Sequence, residues 1–174
     1  FLSPLSNQRS DRYGGSFDNR SRLVREIVSA VREVWPAELP LWLRVSATDW
    51  APADGPRGWD VEQSVQLAQQ VKPLGVDLVD VSSGGLLPHV KLPLAPGYQV
   101  PFSARIRHEA GIATGAVGMI TEAEQAAASC AGPVVVSLRT MPLPVVAKEA
   151  VTPTPASAVL MALITSWTVW AAPI

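Results

Sequence analysis

The chain has 174 residues, 48% of them apolar, with a formal net charge of −1 and one cysteine. That length suits a single domain with a real core, and the near-zero charge offers no basic stripe for nucleic acid and no acidic patch for cationic partners. Cys130 alone excludes a disulfide framework and a cysteine metal cluster. The polar, charged start is no signal peptide, and together these features point to a reducing, cytoplasmic setting.

Residues 1–16 read as a polar loop that feeds directly into a helix over Phe17–Val34. Ser16 is its expected N-cap, Asp18 suits the first turn and Pro36 lies just past the end. Leu23, Ile27 and Val31, with Val24 and Val28 beside them, give one apolar stripe, and Arg22, Arg25, Glu26 and Arg32 read as a solvated face. Leu41–Ser46 reads as a strand. Asp60–Leu74 reads as a second helix, with Asp60 and Gln63 spaced as a capping box and Gly75 ending it. Val76–Val81 is the next strand, followed by Ser82-Ser83-Gly84-Gly85 and a Pro-rich loop to Val100. A third helix over Pro101–Ala110, a short strand over Ile112–Val117 and a fourth helix capped by Thr121 with Glu124 complete the regular pattern. Pro133–Leu138 is a last apolar run.

Alternating strands and helices from Ser16 to about Cys130 predict an α/β fold with parallel strands. They amount to about three and a half β/α units, half of an eightfold barrel. From Pro133 onward come six prolines, and Ala150–Ile174 carries no charge. A membrane span needs about 20 apolar residues. The stretch Ala156–Ile174 barely reaches that and contains Thr165, Ser166 and Thr168, which argues against a span. Prolines 142, 144, 153 and 155 interrupt any long helix, so low order is expected from about Ser129 on.

Arg44 is the sharpest candidate. Strand alternation puts Leu41, Leu43 and Val45 on one side and Trp42, Arg44 and Ser46 on the other. A guanidinium under packed helices would be costly, so Arg44 is expected to face the barrel interior, where such folds build their sites. A structural ion pair with Asp49 or Asp80 is the competing reading. Ser82-Ser83-Gly84-Gly85, directly after a strand, suits close backbone approach and hydroxyl or N–H contacts to a ligand, and Gly118, at the end of Thr114-Gly115-Ala116-Val117-Gly118 before a helix, suits an N–H contact to a phosphate, though each segment also fits an ordinary turn. Arg139 is a further phosphate-contact candidate. His89 and His108 have no spaced partner and read as surface residues, Cys130 reads as a buried small residue, and no metal-ligand pattern is present.

Four segments in order resemble the old yellow enzymes, the FMN-dependent ene-reductases, with the last closest to the bacterial thermophilic-like branch. They are FLSPLSNQRSDRYGGSFDNR at 1–20, LWLRVSATDW at 41–50, GVDLVDVSSGG at 75–85 with PGYQVPF at 96–102, and TGAVGMIT at 114–121. The resemblance implies a partial (β/α)8 barrel, strands 5–8 with their helices over residues 1–138, and a divergent tail over 139–174 for which a reading-frame shift near Ser129 accounts. It implies FMN and NAD(P)H as cofactors and hydride transfer to an activated alkene, an enone or enal. Arg44 matches the arginine beside the flavin pyrimidine edge, Ser82 a position on the ribityl or phosphate side, Gly118 a backbone donor to the phosphate, and Arg139 a phosphate-binding arginine, although Leu138 stands where a glycine is expected. The family's histidine pair and proton-donating tyrosine fall upstream of Phe1. The alternative is therefore a catalytically inactive barrel fragment with weak phosphate or flavin binding. Its open sheet edges would favour a homo-oligomer.

Overall fold

A computed structural model of the chain describes residues 1–129 and 134–136. The elements are α1 (Phe17–Val34), β1 (Trp42–Ser46), α2 (Val61–Val71) running on into a 3-10 turn (Lys72–Leu74), β2 (Leu78–Ser82), α3 (Val100–Ala110), β3 (Ala113–Ala116), α4 (Ala123–Ser129) and β4 (Val134–Val136). The four strands pair in chain order, all parallel, so each neighbouring pair is joined by a helical crossover. The proposed division at 138/139, the tail, Cys130 and Arg139 lie outside the described residues. No helix among the described residues is long and apolar enough to cross a membrane.

The helices share one face of the sheet. Val45, Val79 and Val81 pack in one core with Val28 of α1, Val65, Leu67, Ala68 and Val71 of α2, and Ile106 and Ala110 of α3. Alternation then sends Trp42, Arg44, Ser46, Leu78, Asp80 and Ser82 to the opposite face, which no helix among the described residues covers. The expected split of β1 into two sides is the split observed.

Several local expectations change. β2 starts at Leu78 rather than Val76. The cause is Asp77, whose carboxylate accepts from the backbone N–H of Leu41 at 2.7 Å and from Arg32 at 2.9 Å, and so ties the strand entry with a side chain. Asp60 caps α2 by accepting from the N–H of Gln63 at 2.9 Å. The reciprocal half of the capping box is absent, because the Gln63 amide donates to the Gly58 carbonyl and accepts from Arg20. Thr121 donates its hydroxyl to Glu122, and α4 begins at Ala123 without the expected box. On α1, Val24 and Val28 face the core while Ile27 is 52% exposed, so the five apolar residues exceed what one packed face covers. Arg32 is no solvated residue: it donates to the carbonyls of Gly75, Leu39 and Pro36 as well as to Asp77.

The polar opening loop is held by its own side chains. Asn7 donates to the carbonyls of Phe1 and Tyr13, both at 2.7 Å, and Asn19 donates to that of Gly14 at 2.9 Å. At Gly14 a Cβ would stand 1.9 Å from the Arg9 carbonyl oxygen, so only glycine closes the loop. Arg20, 6% exposed, donates to the carbonyls of Gly15 and Leu2 and to Gln63, and lies over the Trp59 ring at 5.8 Å. Burial lowers its pKa from the ordinary guanidinium value, and Asp60 and Asp49 oppose that shift. Buried Asp49 accepts from the Ser3 hydroxyl at 2.6 Å and the Trp59 N–H at 2.7 Å, which pins this loop to the segment after β1.

Removing that pin tests its weight. Asp49→Ala leaves two buried donors without a partner and should cost about 1–3 kcal/mol; an unchanged urea midpoint would contradict this. A second test uses pH. Hydrogen bonds from Arg9 and from the Tyr13 backbone hold the Asp11 carboxyl at about 2, below its ordinary 3.8. A depressed folded-state pKa contributes stability that is present above the unfolded value and is lost as pH falls through the folded one. The stability difference between the parent and Asp11→Asn should therefore shrink as pH falls from about 4 to about 2. A difference that stays constant across that window excludes the contribution.

Candidate functional site at the carboxyl end of the sheet

Register builds the centre of the site. Arg44, Asp80, Gly115 and Val135 are successive partners across the four strands, and Ser46 pairs with Ser82 two residues further on. Arg44 Nη1 donates to Asp80 Oδ2 at 2.6 Å, with the two side chains 48% and 23% exposed. Arg44 thus lies on the face opposite the helix-packed core, as expected, and is paired with Asp80, one of the two carboxylates considered. Asp49, the other carboxylate considered, is taken up by Ser3 and Trp59. Of the five guanidinium donors only Nη1 meets Asp80, and about half of the side chain is exposed among the described residues. Gly115 leaves the position beside Asp80 without a side chain.

The loops after β1, β2 and β3 close over the strand ends. The Ala47 N–H donates to the Ser82 carbonyl at 2.7 Å, the Gly84 N–H to that of Thr48 at 2.8 Å, and the Ser46 hydroxyl to that of Gly84 at 3.1 Å. Trp50 has a left-handed backbone, with φ of 57°, which costs about 1–3 kcal/mol in a non-glycine residue. That conformation lets its Nε1–H donate to the Ser83 hydroxyl at 3.0 Å while its ring meets Phe102 edge-on at 5.3 Å. Ser83 in turn donates to Gln99 Oε1 at 2.7 Å, and Gln99 Nε2 donates to the Val117 carbonyl at 3.1 Å.

Gly118 sits directly after that carbonyl, with φ of +114°. A Cβ there would stand 2.7 Å from Gln99 Nε2 and 2.8 Å from Tyr98 Cε1, so both conformation and packing require glycine. Its carbonyl accepts from the Gly97 N–H at 2.8 Å. Arg44 in the middle of β1, Ser82 at the end of β2 and Gly118 in the loop after β3 therefore belong to three neighbouring strands and their carboxyl-end loops. Arg139 lies outside the described residues. His89 and His108 are exposed.

Sequence reasoning missed Gln99 and Trp50. Gln99 precedes α3 inside Pro-Gly-Tyr-Gln, where only Gly97 carries a readable turn signal, and nothing local reveals that its amide bridges two loops. Asp80 was one of the two carboxylates the sequence offered for Arg44, and the choice between them follows from the observed strand bounds, in which Arg44 and Asp80 are each third. A concavity of about 480 Å³ lies elsewhere, between α1 and α2, lined by Arg22, Arg25, Glu26, Ser29, Glu33 and Gln70 among others. It is a groove on the outer helical surface between charged side chains.

Residues 1–136 match the model of the NADH:flavin oxidoreductase / NADH oxidase family. The chain is 55% identical over 126 residues to an NADPH dehydrogenase of Geobacillus sp. (strain WCH70) and 51% identical to one of Listeria innocua. Each alignment covers 72% of this chain and 35% of the relative, so the chain spans about a third of their length. Among solved structures it is similar to a 2-naphthoyl-CoA reductase in complex with 2-naphthoyl-CoA, with a TM-score of 0.64, 22% identity, and 78% of this chain and 21% of that one covered. It is also similar to a morphinone reductase variant in complex with tetrahydroNAD, with a TM-score of 0.53, 25% identity, and 78% and 35% coverage. These neighbours are (β/α)8-barrel enzymes. A parallel sheet paired in chain order with its helices on one face is what a piece of such a barrel requires, and the chain belongs to the NADH:flavin oxidoreductase / NADH oxidase family, that of the old yellow enzymes.

Proposed function

We propose that residues 1–138 form the part of an FMN-binding (β/α)8 barrel that comprises strands 5–8, in an NAD(P)H oxidoreductase that reduces activated C=C bonds of small enones or enals. The observation that carries this reading is Arg44, a half-exposed guanidinium on the sheet face opposite the packed helices, in a chain of this family.

The donor set suits the cofactor. A guanidinium on the strand and a hydroxyl at the strand end match a heterocycle edge rich in accepting oxygens and its polar side chain, and Gly115 leaves room for a flat group beside them. When bound, FMN supplies hydride transfer between nicotinamide and substrate. Arg44 would place positive charge at the pyrimidine edge, where charge builds up on reduction, and Asp80 would keep the guanidinium in register with the strand. Ser82 would serve the ribityl or phosphate side, and Gly118 would offer its N–H towards the phosphate. The second reading, a catalytically inactive barrel segment with weak phosphate or flavin binding, is favoured by the ion pair that already gives Arg44 a structural partner in Asp80.

Two measurements separate these readings. The 174-residue chain supplemented with FMN should bind the flavin yet show no cyclohexenone-dependent NADPH oxidation, because the histidine pair and tyrosine expected of the family have no counterpart in it. Clear turnover would show that the chain carries its own proton donor. Arg44→Ala should weaken FMN binding, with the loss of one charge-assisted contact costing about 2–4 kcal/mol for the reduced form. Equal affinity for reduced FMN in the parent and the variant would leave Arg44 a structural partner of Asp80 alone.

A further inference from the structure

We propose that Gln99 is a positioning residue for the cofactor: its side-chain amide holds the loop after β2 against the loop after β3, and so sets the spacing of Ser82 and Gly118. The inference rests on the flavin reading above. Gln99 is 2% exposed. Its Oε1 accepts from the Ser83 hydroxyl at 2.7 Å and, at 3.5 Å, from that of Ser82, while its Nε2 donates to the Val117 carbonyl at 3.1 Å. The amide thus spends its acceptor on one loop and its donor on the other, and a buried side chain with only one of these functions cannot bridge both.

The amide also has a fixed base and a fixed stop. Its backbone carbonyl accepts from the N–H groups of Phe102 and Ser103, at 3.2 and 3.3 Å, so the residue is anchored at the start of α3. On the far side, Nε2 lies so close to Gly118 that no Cβ fits between them. A glycine N–H offered to a phosphate is useful only if its peptide plane is held, and the bond to the preceding carbonyl, Val117 O, holds that plane. Trp50 extends the same chain of donors to the loop after β1 through Ser83. The bonds all run in one direction, from Trp50 to Ser83 to Gln99 to Val117, an arrangement in which each bond polarises the next.

The test uses the full 174-residue chain, Gln99→Met, which keeps the side-chain length and removes the three hydrogen bonds of the amide, and Ser83→Ala, which removes the Ser83 bonds to Gln99 and from Trp50 but leaves the bond to Val117. FMN and riboflavin are titrated against each by flavin fluorescence, and amide hydrogen exchange is followed at 82–86 and 117–119. In Gln99→Met the preference for FMN over riboflavin should fall by about 10-fold or more, as expected for an orphaned buried carbonyl. Exchange should rise in both loops and stay unchanged in α1; Ser83→Ala should loosen 82–86 more than 117–119. Equal weakening of both flavins, with exchange raised throughout, reduces Gln99 to a structural residue and overturns the proposal. Unchanged exchange in either loop of Gln99→Met overturns the clamp and leaves the flavin reading standing. A parent chain with no preference for FMN over riboflavin overturns both.

Discussion

Side-chain alternation along parallel strands held in one register is the constraint on which this structure depends. Val45, Val79 and Val81 fall on the face that three helices cover, and Arg44, Asp80, Ser46 and Ser82 fall on the other. A slip of one residue in β1 would drive Arg44 beneath the helices, where an uncompensated charge costs several kcal/mol, and would turn Val45 outward. The apolar residues therefore set the register, and the register in turn places the polar ones. Arg44 meets Asp80 because each is the third residue of its strand.

The opening loop does a different job from the one its polarity suggests. Asn7, Asn19, Arg20 and Asp49 are engaged with backbone groups and with each other's neighbours, and Gly14 is required by a close backbone approach. This loop is a brace between the start of α1 and the segment after β1. An unusual run of polar residues can thus identify a family while its side chains are spent on holding the chain, and the site itself is drawn from strand ends further on.

How far the sequence could be read follows from the range of the forces involved. α1, its Ser16 cap, the Asp60 cap and the alternation in β1 are local consequences of spacing and hydrogen-bond chemistry, and they stand as read. The start of β2 and the role of Arg32 could not be read, because both depend on Asp77, which lies over 40 residues from Arg32 along the chain. Thr121 and Glu124 have capping-box spacing, yet α4 begins only at Ala123 and the Thr121 hydroxyl donates to Glu122. Gln99 escaped for the strongest reason. A buried amide joining two loops leaves no periodic trace, and its partners Ser83 and Val117 become neighbours only once β2 and β3 pair.

The proposed flavin site lies towards the carboxyl end of the sheet, on the face that carries Arg44 and Asp80, and away from the groove between α1 and α2. Backbone and Arg side-chain NMR shifts of the 174-residue chain during an FMN titration test this most directly. The account predicts saturable shifts centred on Arg44, the residues from Ser82 to Gly85 and the residues from Gly115 to Gly118, with little change at Arg22, Arg25 or Glu33. Shifts centred on that outer groove, or none that saturate, would contradict it.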